Sequence, residues 1–129
     1  MSDQNLDRRK FVLALTGAAA ARGAEAPKKL RYGLVGAGNR GRNVHLPTVK
    51  NSIAEAEISA ICDITPDNLD RALGACPAAK GYSDYRDMLT KERDLDAVLV
   101  VVPNFLHAEI TLAALNAGKH VLVEKPMAL

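Results

Sequence analysis

Leu30-Arg31-Tyr32-Gly33-Leu34-Val35-Gly36-Ala37-Gly38-Asn39-Arg40-Gly41, LRYGLVGAGNRG in one-letter code, is an apolar run that breaks into glycines at the spacing GxGxxG. Leu30 to Val35 reads as a buried strand, and the glycines read as a tight turn that feeds a helix. Each of the three motif glycines meets a different physical demand. Gly36 lets the chain turn sharply, Gly38 presents no Cβ to an approaching pyrophosphate, and Gly41 lets the helix pack close to the strand. A helix N-terminus beginning at Asn39 and Arg40 adds unpaired N–H groups and the positive end of the helix dipole. Glycine turns without ligands are common. The motif takes its weight from Asp63, about twenty residues beyond Gly41, at the end of a second apolar run from Ala56 to Cys62.

A carboxylate at the C-terminal edge of a second strand accepts bonds from both adenosine ribose hydroxyls and repels a 2′-phosphate. No Lys or Arg follows Asp63 until Arg71, so NAD is expected over NADP. The plainer reading of Asp63 is a solvent-facing residue that starts the next turn. Arg40 and Arg42 oppose the dipole at a helix start, and either a bound anion or simple solvation accounts for them. Pro47 removes a helical donor and clashes with the preceding turn, so a first turn near Arg40 to Val44 and a restart near Pro47 are expected.

Beyond Asp63, Thr65-Pro66-Asp67 reads as N-cap, N1 proline and first-turn acid of a helix ending near Gly74. A short edge strand follows at Lys80 to Tyr82. Ser83-Asp84 then opens a short helix with Tyr85, Met88 and Leu89 facing inward. Leu95 to Val102, LDAVLVVV, is expected to be the central parallel strand, buried on both faces. Pro103 ends it, Asn104 caps the next helix, and Leu106, Ile110, Ala113 and Ala117 recur at helical spacing until Gly118. Lys119 to Glu124 forms the fifth strand. Strands alternating with helices imply an α/β fold with a doubly wound parallel sheet.

The chain has 129 residues, 48% hydrophobic and 25% charged, the balance of one globular domain. Its net charge of +2 sums two unlike parts, because the first 31 residues hold seven basic and three acidic side chains and the remainder is net negative. Nothing in the body suits nucleic acid. Asp7-Arg8-Arg9-Lys10-Phe11-Val12-Leu13, an Ala-rich run to Ala21 and Ala24-Glu25-Ala26 look like a twin-arginine export signal over residues 1–26. The dinucleotide-binding domain then covers 27–129. A permanent membrane span is not expected from so short a run. Pro27 directly after Ala-x-Ala places cleavage earlier or prevents it. An exported, periplasmic protein that engages the twin-arginine machinery is the expectation, and a basic tail on a cytoplasmic protein is the alternative. Cys62 and Cys76 read as unpaired thiols, and no metal-ligand spacing appears.

Pro103-Asn104-Phe105-Leu106-His107, Ala117-Gly118-Lys119-His120-Val121 and Glu124-Lys125-Pro126, in this order after the glycine motif, closely resemble the glucose-fructose oxidoreductase / inositol dehydrogenase (Gfo/Idh/MocA) family from Leu30 to Leu129. The resemblance implies a Rossmann domain with Gly36, Gly38, Gly41 and Asp63 at the cofactor. It places Pro103, Asn104 and His107 beside the nicotinamide, with Glu124 at the same turn. Lys125 becomes the catalytic lysine between nicotinamide and substrate, polarising the reacting hydroxyl or carbonyl. Without the family, Glu124-Lys125 is an exposed charge pair and His107 a helix-surface residue. The family's substrate domain, with its DxxxH-type Asp and His, has no counterpart before Leu129, so a truncated, inactive product is expected, with association of copies left to that domain. Three functions follow: NAD(P)-dependent oxidation of a sugar, polyol or related hydroxyl; an NAD-retaining glycosidase of the same family; and a non-catalytic dinucleotide-binding module.

Overall fold

The computed structural model describes residues 27–127, and the export signal read over residues 1–26 lies outside the described residues. Five parallel strands form one sheet in the order β3-β2-β1-β4-β5. They are β1 (Leu30–Val35), β2 (Ala56–Cys62), β3 (Lys80–Tyr82), β4 (Ala97–Val100) and β5 (His120–Val123). The expected Leu95-to-Val102 run supplies only four ladder residues. The central strand is β1, flanked by β2 and β4, rather than β4 itself. Leu95 packs below the ladder among buried side chains, while Val101 and Val102 leave it at the upper edge.

Successive crossovers run outward from β1 on one side and then return to its other side. With crossovers of one hand, that reversal places the helices on opposite faces. One face packs Leu34, Ile61 and Leu99 against Leu46 and Val49 of α1 (Leu46–Ser52) and Ala72 of α2 (Pro66–Ala75). The other packs Val35, Val98 and Val100 against Met88 of α3 (Tyr85–Lys91) and Ile110 and Ala114 of α4 (His107–Asn116). Among the described residues no helix is long and apolar enough to cross a membrane.

Local chemistry explains the helix starts, with two departures from expectation. Asp84 caps α3 by accepting from Arg86 N–H. Thr65 occupies the N-cap position of α2 but makes no side-chain cap; its own N–H donates to Asp63 Oδ1 at 2.8 Å. Asn104 does not cap α4 either. It opens a 3₁₀ turn, Asn104–Leu106, which rotates the following helix so that His107, Ile110 and Ala114 face inward and Ala117 is exposed. The helix around Pro47 divides as expected, into a first turn, the π-helical Gly41–His45, and α1, which restarts at Leu46 with Pro47 in its first turn; the two join without a gap, Leu46 N–H donating to Gly41 O. Gly118 closes α4 at φ +75°.

Candidate dinucleotide site

The C-terminal ends of β1, β2, β4 and β5 converge on the glycine turn, where the strand order reverses and a crevice opens in sheets of this kind. Gly36 sits at φ +98°, and a Cβ there would lie 2.1 Å from Val101 O. A Cβ on Gly41 would lie 2.0 Å from Gly36 O, so this glycine seats the helix directly on the turn. Gly38 differs, since nothing lies within 4 Å of the place its Cβ would take. The first and third glycines are demanded by the protein's own backbone, and the second leaves space free beside a helix start.

Two clefts flank this turn. One, of about 630 Å³, lies on the β2 and β3 side and is bordered by Gly36, Gly38, Asp63, Ile64, Val102 and Phe105. The other, of about 340 Å³, lies toward β5 and is bordered by Arg40, Val102, Asn104, His107, Glu124 and Lys125. Two compartments astride a glycine turn suit the two halves of a dinucleotide. Ile64 and Phe105, 85% and 74% exposed, are large apolar side chains at the rim of the larger cleft. Sequence reasoning passed over both, although each directly follows a residue it had singled out.

Asp63 is half-buried and bridges two loops. Its Oδ2 accepts from Ala37 N–H at 2.7 Å and its Oδ1 from Thr65 N–H at 2.8 Å. The carboxylate therefore already braces the glycine turn, and each oxygen retains a further lone pair for a hydroxyl at the cleft. Below it, Cys62 is a free thiol pushed up to about 12, first by burial and then by Asp84 and Asp63. Cys76 is also free and buried.

Both arginines have protein partners, Arg40 on the β5 side and Arg42 toward α2, and the Arg40 side chain remains 59% exposed. Arg40 Nε donates to Glu124 Oε1 at 2.6 Å, and Arg42 Nη1 donates to Ala37 O at 3.3 Å. His45, absent from the sequence-based set, donates from Nε2 to the same Glu124 oxygen at 2.7 Å. Glu124 is thus not an exposed charge. Its side chain is 15% exposed, and the Arg40 and His45 bonds draw its carboxyl down to about 2. The Lys125 side chain is exposed beside the smaller cleft, with no ion pair among the described residues.

His107 is not a helix-surface residue. It is 1% exposed, with Nε2 2.8 Å from Val102 O and Nδ1 2.6 Å from Pro126 O. It staples the end of β4 to the turn that carries Lys125. Pro103, Asn104 and Asn39 lie exposed around the crevice, and Asn39 bonds Asn43. Among the described residues no three His, Cys, Asp or Glu side chains cluster as a metal site would require.

Comparison with known proteins agrees with this geometry. The sequence profile of the Gfo/Idh/MocA oxidoreductase family, NAD-binding Rossmann fold, matches residues 30–129. An inositol 2-dehydrogenase from Salmonella typhimurium is 38% identical over 101 residues, covering 78% of this chain and 30% of that protein. A glycosyl hydrolase family 109 protein from Shewanella amazonensis is 38% identical over 118 residues, covering 83% of this chain and 25% of that one. The crystal structure of the WlbA dehydrogenase from Bordetella pertussis, in complex with NADH and UDP-GlcNAcA, superposes with a TM-score of 0.73 at 37% identity, covering 78% and 28% of the two chains. The chain therefore spans about 30% or less of the length of these relatives.

Proposed function

The chain belongs to the Gfo/Idh/MocA oxidoreductase family through its NAD-binding Rossmann domain, and on that premise we propose that it supplies the cofactor half of an enzyme moving a hydride between nicotinamide and a hydroxyl-bearing carbon of a sugar or polyol. One observation carries this reading: an exposed ammonium, Lys125, borders the smaller of two clefts separated by a glycine turn whose Gly38 faces open space. When bound, the nicotinamide gives or takes the hydride at C4.

The residues present divide that work. Gly36 to Gly41 receive the pyrophosphate at the helix start. Asp63 holds the adenosine ribose while bracing Ala37, and Ile64 and Phe105 cover the apolar base. Lys125 orients the reacting oxygen and stabilises the negative charge that develops as its proton leaves. His107, Pro103 and Asn104 keep the β4 end and the lysine turn together around the nicotinamide. Titration with NADH, followed by nicotinamide fluorescence, is expected to saturate in the native chain and to weaken strongly in Asp63→Ala. A flat titration of the native chain sinks the reading.

The Shewanella likeness, which covers a larger share of the chain than the dehydrogenase match, favours a second reading as an NAD-retaining glycosidase. In the whole enzyme, product release with no net NADH would mark it. Arg8 and Arg9 support export through the twin-arginine route to the periplasm. Replacing both by lysine in a reporter fusion is expected to hold the reporter in the cytoplasm, and unchanged export counts against the signal.

A further inference from the structure

The π-helical turn after the glycines has a consequence visible at one carboxylate oxygen. An α-helix turns about 100° per residue, so side chains five apart diverge by about 140°. The i→i+5 bond from Leu46 N–H to Gly41 O closes a wider turn and narrows that divergence. Arg40 and His45 are five apart, and both reach Glu124 Oε1, at 2.6 and 2.7 Å. Glu124 Oε2 in turn accepts from Lys125 N–H at 3.1 Å. The carboxylate is thereby committed on one side to the helix that receives phosphate and on the other to the backbone that carries the lysine. Pro47 alone accounts for a weakened helix, but not for two donors meeting at one oxygen contributed from beyond β5.

We propose that Arg40, His45 and Glu124 form a positioning cluster that fixes the Lys125 backbone against the glycine turn. Placement of the ammonium beside the smaller cleft is then set by this cluster, while the backbone of the glycine turn receives the pyrophosphate independently of it. Glu124 and His45 act through Lys125 rather than on the cofactor, and Arg40 serves the cluster rather than a phosphate. This assignment rests on the nicotinamide-site reading above.

Two measurements on the full 129-residue chain test it, one needing no cofactor. In the 15N-labelled chain without ligand, the Lys125 amide signal is expected to move in Glu124→Ala and in His45→Leu. In His45→Gln, whose amide N–H replaces the Nε2 donor, it is expected to stay, while signals from β5 hold steady in all three. With ligands, His45→Leu is expected to weaken NADH about tenfold, as for one bond to a charged group, and to leave ADP within about twofold. A Lys125 amide indifferent to His45→Leu overturns the proposal, as does a His45→Gln chain that behaves like His45→Leu. Equal weakening of ADP and NADH also overturns it, since that reports general structural damage. If the native chain binds neither ligand, the functional reading fails, and the ligand-free amide signals still decide whether the cluster positions Lys125.

Discussion

Alanine substitution at the three motif glycines separates what the fold demands from what a ligand demands. At Gly36 the left-handed φ of +98° costs a side chain about 1–2 kcal/mol. A Cβ placed 2.1 Å from Val101 O, where ordinary contact begins at 3.4 Å, must push that backbone more than 1 Å. Overpacking of this kind adds about 1–3 kcal/mol. Gly36→Ala is therefore expected to lose about 2–5 kcal/mol, a large part of the stability of an ordinary domain. At Gly41 the overlap with Gly36 O is as severe, but the residue is helical, and alanine recovers up to about 1 kcal/mol of propensity. Gly38→Ala meets nothing within 4 Å and restricts the unfolded chain, so stability should hold or rise by about 0.4–1 kcal/mol. Its methyl nevertheless stands where the pyrophosphate must approach. Loss of one bond to a charged group corresponds to about 1.5–3 kcal/mol, and NADH affinity should fall tenfold or more. Urea unfolding followed by circular dichroism, with NADH titration of each variant that folds, measures both quantities. The reasoning is refuted if Gly38→Ala unfolds as readily as Gly36→Ala, or if it binds NADH as well as the native chain does.

Asp63→Ala is expected to cost NADH far more affinity than NADPH, because the carboxylate that attracts ribose hydroxyls also repels a 2′-phosphate; an unchanged ratio of dissociation constants removes Asp63 from cofactor selection. Glu124 has a folded value near 2, below its ordinary 4.5, so its contribution to stability is complete above 4.5 and disappears as pH falls through the folded value. The gap in melting temperature between the native chain and Glu124→Gln should accordingly close on acidification, and a gap that persists at the lowest pH contradicts the assignment. Burial that pushes the Cys62 thiol up to about 12 should leave it nearly inert to iodoacetamide in the folded chain, and mass spectrometry showing alkylation as fast as in urea would contradict its burial.

Much of the architecture was legible because the relevant signals are local. β1 and β2 occur at the expected boundaries, since each is an apolar run ended by a glycine or an acid. β4 is shorter than its sequence suggests, because hydrophobicity marks burial and not hydrogen bonding. Leu95 is buried without entering the ladder. On the inward face of α4, Leu106 and Ile110 pack on the core as expected, but Ala114 rather than Ala113 is buried and Ala117 is exposed, as periodicity cannot reveal a 3₁₀ turn ahead of a helix. Leu112 and Leu115 lie outward on that helix despite their apolar character. His107 shows the limit most clearly. Its partner Pro126 O lies 19 residues away and reaches it only after β5 has returned beside β4.

Arg40, after the glycine turn, illustrates why local electrostatics alone does not reveal a side chain's partner at this end of the site. Judged against the helix dipole, Arg40 calls for an anion, and the local sequence provides none. A parallel sheet, however, delivers the end of every strand to the same edge, so Glu124 arrives beside Arg40 although 84 residues separate them. By the same rule Asp63, at the end of β2, arrives beside Ala37 on the opposite flank. Two carboxylates therefore grip the glycine turn and its helix from either side, one through the Ala37 N–H and the other through the Arg40 guanidinium and the His45 imidazole. The Asp63 bond to the Ala37 N–H holds the turn in shape before any phosphate approaches, which lowers the ordering cost of binding. Each carboxylate also borders one of the two clefts, so the groups that shape the turn also define the two ends of the crevice.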